Sequence, residues 1–298
     1  MPRAKSAASV RDADFFGDLE ETTAGELTER SSRIASAHRL LRRSRRVEAG
    51  EFLAEGLQPV TEAIRYARNH PGVVRELYLT ADAAAKHVDL VRAAYAASVE
   101  VSIVTARAAA LLSDTQTPQG LVARCATIDV ELTAALASSP TLIAVLVNAN
   151  DPGNAGTVVR LADAAGADAI IFAGESVDPF NPKAVRATVG SLFHLPVARA
   201  VDLDEMFAAL NAAGLSVLAT AGAAELDLNE VTADGLLELP TAWLFGSEAH
   251  GLPPAVIEQA DQSVRVPIYG QAESLNLATA AAICLYASAS AQRAAPAE

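Results

Sequence analysis

Cysteine is scarce in this chain of 298 residues: there are two, Cys125 and Cys284, far apart and with no CxxC spacing. A disulfide framework is excluded, and since the five histidines form no HxxxH pair, neither a structural zinc site nor any other metal is expected. Long apolar runs are also missing. The longest weakly polar stretch, Leu275 to Ala289, is shorter than the ~20 residues a membrane-spanning helix needs. The first residues show no basic stretch followed by an apolar run, so we expect no leader peptide, no membrane and a cytoplasmic protein. Basic residues are outnumbered, 23 against 36 acidic, and the net charge of −13 argues at first sight against a polyanionic partner. What remains is ordinary for a globular protein, with 51% hydrophobic and 20% charged residues, at a length that suits two domains.

Charge is unevenly distributed. Residues 1–30 hold 4 basic and 7 acidic residues, 31–128 hold 13 and 9, and 129–298 hold 6 and 20. Only the middle third is basic, and Arg33, Arg39, Arg42, Arg43, Arg45 and Arg46 crowd one short stretch with His38 and no acid before Glu48. Such a stretch is either a solvated helix face or a surface that tracks phosphates.

Residues 1–30 carry no sustained apolar period and read as a loosely ordered extension. Over 31–128 we expect a small α/β unit: a basic helix, strands at Glu51–Ala54, Val74–Leu79, Val101–Val104 and Leu121–Ala123, and helices at Pro59–Arg68 and Ala83–Ala97. Residues 129–140 read as a linker with room for a helical turn. From 141 to 298 a second α/β domain opens on Leu142–Val147, an unbroken apolar run suited to a parallel sheet buried on both faces. Further strands are expected at Ala169–Phe172, Ser216–Ala219, Ala242–Phe245 and Val264–Ile268. Helices are expected at Ala155–Ala165, Leu203–Ala213, Pro254–Ala260 and Leu275–Ala291.

Parallel sheets bind ligands in the loops at the carboxyl ends of their strands. Three such loops concentrate polar groups: Asn148–Gly156 before a helix carrying Arg160, Gly246–Leu252, and Tyr269–Asn276. Asn148–Gly166 (NANDPGNAGTVVRLADAAG), Leu244–Leu252 (LFGSEAHGL) and Val266–Tyr286 (VPIYGQAESLNLATAAAICLY) resemble, in order and spacing, the three motifs of the SpoU branch of the SPOUT methyltransferases. The basic unit before them is similar to the ribosomal-protein-like substrate-binding domain of many members, with Arg33–Glu62 resembling its opening pattern.

The resemblance implies a Rossmann-like catalytic domain tied in a trefoil knot, a homodimer with active sites at its interface, and transfer of a methyl group from S-adenosylmethionine to a ribose 2′-hydroxyl of structured RNA, ribosomal RNA foremost. It assigns Asn154, Arg160, Glu248, Ser274 and Asn276 to the catalytic end, and Gly246, Val266, Ile268, Leu275 and Thr220 to the cofactor. Arg39, Arg42, Arg43, Arg45 and Arg46 are candidate RNA contacts from the basic stretch. Lys183 and Arg186 form a second basic spot of the same kind.

Structural readings stand beside these assignments. Asn154 suits an N-cap of a helix at Ala155, and Arg160 suits a surface ion pair with Asp163. Glu248, Gly246 and Gly251 suit a turn. Ser274 suits a cap of the last helix, although Leu277 excludes a capping box, and Asn276 is a poor former in its first turn. Lys183 and Arg186 suit a solvated helix. Ala249 departs from the glycine more common in the family, which puts the conformation of that loop in question. Because guanidinium stays protonated, Arg160 is expected to hold the target phosphate and stabilise the ribose oxygen rather than act as a base. Other functions fit parts of the sequence: a tRNA 2′-O-methyltransferase, a catalytically silent RNA-binding assembly factor, and a nicotinamide-dependent oxidoreductase. Gly153-Asn154-Ala155-Gly156 lacks the full GxGxxG pattern that the last would need.

Overall fold

Alternating short apolar runs and helical periods resolve into two sheets in the computed structural model, which describes residues 25–200 and 202–294. The first unit comprises α1 (Ser32–Arg39), α2 (Arg43–Ala49), β1 (Glu51–Glu55), α3 (Leu57–Ala67), β2 (Val74–Leu79), α4 (Ala81–Lys86), α5 (Val88–Ala96), β3 (Glu100–Ile103), α6 (Ala106–Leu111) and β4 (Leu121–Ala126). Its sheet runs β1-β4-β2-β3, with β4 antiparallel to both neighbours and β2 parallel to β3. Helices α3 and α5 bury apolar faces on one side, while α1 and α6 cover the other around Ile34, Tyr78 and Leu112. The single helix expected over Ala83–Ala97 is two, broken at His87 with no glycine or proline to mark the break. Most of the 1–30 extension lies outside the described residues. Its last part is tied down, Leu27 bridging to Val104 in parallel.

The second unit comprises α7 (Leu132–Ala135), β5 (Leu142–Val147), α8 (Pro152–Ala165), β6 (Ala169–Ala173), α9 (Pro182–Thr188), β7 (Val197–Ala200), α10 (Leu203–Ala212), β8 (Ser216–Thr220), β9 (Leu226–Asp227), α11 (Leu228–Ala233), β10 (Thr241–Phe245), α12 (Pro254–Gln259), β11 (Gln262–Arg265) and α13 (Leu277–Ala294). Its parallel sheet runs β7-β6-β5-β10-β8-β11-β9. All six residues of β5 and all five of β10 are buried, as interior strands covered on both faces must be. Strand β11 ends at Arg265, short of the expected Ile268, since Pro267 removes a ladder donor. The edge strand β7 was not foreseen. A Cβ on Gly156 would stand 2.2 Å from the Ala184 carbonyl oxygen, so glycine alone lets α8 and α9 cross this closely.

Residues 129–140 do not behave as a free linker. Val130 N donates to Val197 O at 2.9 Å, extending the edge of the second sheet, and α7 packs on β7. The two units share one core, in which the Phe52 and Phe180 rings lie 4.7 Å apart. Polar groups cross the same seam. His194 donates through Nδ1 to Asp163 Oδ2 at 2.7 Å on α8, and its Nε2 lies 3.2 Å from Glu62 Oε2 on α3. Partial burial opposes the imidazolium, but hydrogen bonds and charge from Asp163 and Glu62 outweigh it and hold the pKa above the ordinary 6.5. A raised pKa makes the bridge fully stabilising below the pKa of the unfolded imidazole, and its contribution fades as pH climbs through the folded value. His194→Gln should therefore lower the thermal midpoint more at about pH 6 than at about pH 9, by a margin kept modest by solvent screening. Equal losses at both values would reject the bridge.

Candidate functional site

Helix α8 begins a turn earlier than its apolar pattern suggested. Asp151, not Asn154, is its N-cap: Asp151 Oδ1 accepts from Asn154 N at 2.8 Å, and Pro152 occupies the first helical position. Asn154 is thereby released from capping. Its Nδ2 donates to Glu248 Oε1 at 3.0 Å, and its Oδ1 accepts from Asn276 Nδ2 at 3.1 Å. Glu248 Oε2 also accepts from Asn150 N at 3.4 Å. One amide thus joins the loops after β5, β10 and β11.

Asn276 serves the network and caps α13 as well, its Oδ1 accepting from Ala278 N at 2.9 Å. This corrects two expectations, because the helix starts after Asn276 and Ser274 is not its cap. Gly246 fills a steric role: a Cβ there would lie 2.1 Å from the Gly251 carbonyl carbon, and the Ser247–Gly251 bridge closes the turn. The acidic residue of that turn, Glu248, is exposed.

Beside this network a cavity of about 380 Å³ opens at the carboxyl ends of β8 and β11. Thr220, Val266, Ile268, Ser274 and Leu275 line it, together with Glu273, which sequence reasoning had not singled out. Gly246 is not among the lining residues. Thr220 is oriented by donating from Oγ1 to Leu244 O at 2.8 Å. The apolar wall of Val266, Ile268 and Leu275 suits an aromatic base, while Glu273 and Ser274 offer acceptors for a cationic or hydroxylated group. The volume falls within the roughly 300–1,000 Å³ typical of small-molecule sites.

Arg160 lies six residues beyond Asn154 on α8, which is about 9 Å along the axis and roughly 120° around it. It does not converge on the Asn154 network. It is exposed and, among the described residues, makes no ion pair; the expected partner Asp163 is held by His194 instead. Lys183 Nζ lies 2.7 Å from Asp151 Oδ2. The hydrogen bond from Lys183, joined by that from the Asn154 backbone N–H, holds the Asp151 carboxyl below the usual aspartate range. Asp151 was missed as a member of the site, though an Asp followed by Pro ahead of an apolar period is a helix-start signal.

The basic stretch divides. Arg42 and Arg43 are exposed, as is Arg39, which reaches Ser36 at 3.4 Å, and Arg45 pairs with Glu48 at 2.5 Å. Arg46 is corrected from RNA contact to buried residue: it is 2% exposed and bound to Asp178. Arg186 is likewise engaged within the protein, bridging Glu55 at 3.1 Å and Asp114 across the seam between the two units. Arg33 is held by Glu76, Glu100 and Ser102.

Comparison with known proteins agrees with this layout. Residues 141–286 match the SpoU rRNA Methylase family, and residues 53–129 match the domain described as RNA 2′-O ribose methyltransferase substrate binding. The chain is 34% identical to the 23S rRNA (guanosine(2553)-2′-O)-methyltransferase RlmP of Bacillus subtilis (strain 168), over 86% of this chain and 96% of that protein. It is 31% identical to the 23S rRNA (uridine(2479)-2′-O)-methyltransferase of Streptomyces viridochromogenes, over 88% of this chain and 91% of the relative. Among solved structures, the AdoMet-bound rRNA methyltransferase from Sinorhizobium meliloti superposes with a TM-score of 0.75 at 30% identity, covering 89% of this chain and 97% of its own. The SpoU methyltransferase AviRb from Streptomyces viridochromogenes, in complex with the cofactor AdoMet, gives 0.75 at 30% identity over 89% of this chain and 100% of its own.

Proposed function

Because the chain belongs to the SpoU rRNA methylase family, we propose that it transfers a methyl group from S-adenosylmethionine to a ribose 2′-hydroxyl of ribosomal RNA. The observation that carries this reading is the Asn154 amide, which ties Glu248 and Asn276 into one polar end beside a cavity suited to an adenosine. Val266, Ile268 and Leu275 would hold the adenine by apolar contact, with Thr220, Glu273 and Ser274 meeting the polar parts. S-adenosylmethionine supplies an electrophilic methyl group on a sulfonium, so the protein needs neither a leaving-group acid nor a covalent intermediate. Its own residues orient the attacking ribose. The Asn154–Glu248–Asn276 network fixes the three loops. Arg160, always charged, binds the target phosphate and stabilises the ribose oxygen as its proton passes to a phosphate oxygen.

The reading extends to assembly and topology. Arg160 faces away from its own Asn154 network, and Ile283 and Tyr286 leave α13 with an exposed apolar edge; both features support a homodimer with its sites at the interface. The insertion of β10 between β5 and β8, and the return of α13 to pack on α8 and β5, support a trefoil knot. The first unit is read as a ribosomal-protein-like RNA-binding domain over 31–128, and work on ribosomal RNA would place the protein in the cytoplasm. A monomeric mass in solution would reject the dimer, and mechanical stretching to the full contour length would reject the knot.

The deciding experiment supplies the full chain with methyl-labelled S-adenosylmethionine and protein-stripped ribosomal RNA, with tRNA in a parallel reaction, then separates the nucleosides. Label is expected in a 2′-O-methylnucleoside from the ribosomal RNA. Label confined to bases, or found only in tRNA, would overturn the respective part of the reading.

A further inference from the structure

The first unit carries a cavity of about 450 Å³ between α3 and the α4–α5 junction, on the face of its sheet opposite α1. Its floor is apolar, built from Ile64, Leu90 and Ala93. Its rim is cationic: Arg65, Arg68 and Lys86 stand around it with His87, the residue at the helix break. Arg68 and Lys86 are exposed and, among the described residues, have no ion-pair partner. Arg65 lies 2.6 Å from Glu62. The one carboxylate among the lining residues, Asp89, faces Arg92 at 3.5 Å.

In a chain of net charge −13, two unpaired cations over an apolar floor require an explanation. Buried or internally satisfied roles do not provide one, since neither cation is neutralised among the described residues. Leu57, at its edge, lines a second hollow of about 510 Å³ that contains Gln119, Arg186 and Val189. Arg186 belongs to α9, whose Lys183 is bonded to the Asp151 cap of α8 next to Asn154. The two hollows thus share Leu57, and the second reaches Arg186 at the seam between the units.

We propose that this cavity is an RNA subsite that takes an unpaired, splayed-out nucleotide of the substrate, its phosphate on Arg68 and Lys86 and its base on the floor of Ile64, Leu90 and Ala93. The inference rests on the reading of the protein as an RNA methyltransferase and adds the place where the substrate-binding unit grips its RNA. Single-stranded RNA fits this site better than duplex, because an unstacked base can enter a cavity between helices and a paired one cannot. The arrangement adds a second basic face to the exposed Arg39, Arg42 and Arg43 that burial of Arg46 and pairing of Arg45 leave on the arginine-rich stretch.

The test is a salt titration of binding to a fluorescent oligouridine of about 12 nucleotides, within the span of common single-strand sites. Arg68→Ala with Lys86→Ala should weaken binding and flatten the log–log salt slope by about 0.7, the value of the one single-strand phosphate contact that the two cations share. Ala93→Phe, which fills the floor and leaves the charges, should weaken binding with the slope unchanged. Both variants should bind S-adenosylmethionine like the wild type, which also reports that they fold. Wild-type affinity and slope in the double variant, or wild-type affinity in Ala93→Phe, would overturn the subsite, as would no binding of oligouridine by the wild type. Transfer of label to ribose by the wild type is scored separately. Its absence would strike the methyltransferase reading, while the binding slopes still judge the cavity.

Discussion

Replacing Arg46 by alanine is expected to destabilise the protein by about 3–5 kcal/mol, the usual consequence of leaving one charge of a buried pair without its partner. Arg46 and Asp178 are 2% and 5% exposed. Arg46 Nε and Nη2 reach Asp178 Oδ2 at 2.8 and 2.7 Å, and Nη1 donates to the Leu40 and Leu41 carbonyl oxygens at 3.0 Å each. Asp178 Oδ1 accepts from Phe180 N at 3.0 Å. Removal of the guanidinium would leave a carboxylate and two carbonyl groups at the seam between the units without the donors that satisfy them. Urea unfolding should show the loss, and Arg46→Met combined with Asp178→Leu should recover most of it, because the double change removes both charges. A loss below about 1 kcal/mol in Arg46→Ala would place this residue with the ordinary surface pairs, and the arginine stretch would regain its fourth phosphate contact.

That residue shows where the sequence stops being informative. Six arginines in a short window are visible to any reader, but the partner that buries one of them lies 132 residues away on another unit. No local pattern encodes it. The same holds for the seam as a whole: residues 129–140 have the composition of a linker, yet Val130 continues the second sheet and the cores on either side merge. Periodicity served better inside each unit. The unbroken apolar runs at Leu142–Val147 and Ala242–Phe245 appear as the interior strands β5 and β10. Strand β7 escaped because Arg199 interrupts a run of only four residues; its guanidinium lies 2.7 Å from Asp129 and over the Phe180 ring, a pairing that needs the folded chain.

The candidate site was legible as three loops, and the structure brings Asn154, Glu248 and Asn276 together as their order suggested. The roles of individual side chains were less legible. An Asn ahead of an apolar helix resembles a cap, but Asp151-Pro152 had already taken that role and freed Asn154 to bond across the site. Asn276, expected within a helix at some cost in propensity, is the cap of α13 and so incurs none. Glu273 and Asp151 went unnoticed because their significance comes from the cavity and from Lys183, which only the fold brings near.

Arg160→Ala should lower methyl transfer at saturating RNA by about 10²–10³-fold, the loss that follows removal of one preorganised donor to a developing oxyanion, with S-adenosylmethionine affinity unchanged. The structure separates the two effects, for Arg160 is exposed on α8 and the lining of the cofactor-sized cavity does not include it. Stability should not fall, since alanine is the better helix former and, among the described residues, no ion pair is lost. Arg160→Lys keeps the charge but not the planar fork, and should fall between the wild type and the alanine variant. The contrast matters because a lysine that restored full rate would show that positive charge alone suffices. Asn154→Ala should behave differently, impairing transfer together with the order of the loops carrying Glu248 and Asn276, because its amide bonds both. Methyl-transfer rates and calorimetric cofactor affinities distinguish these outcomes. Full transfer by Arg160→Ala at saturating RNA would remove Arg160 from the reaction and leave the phosphate without its proposed cation.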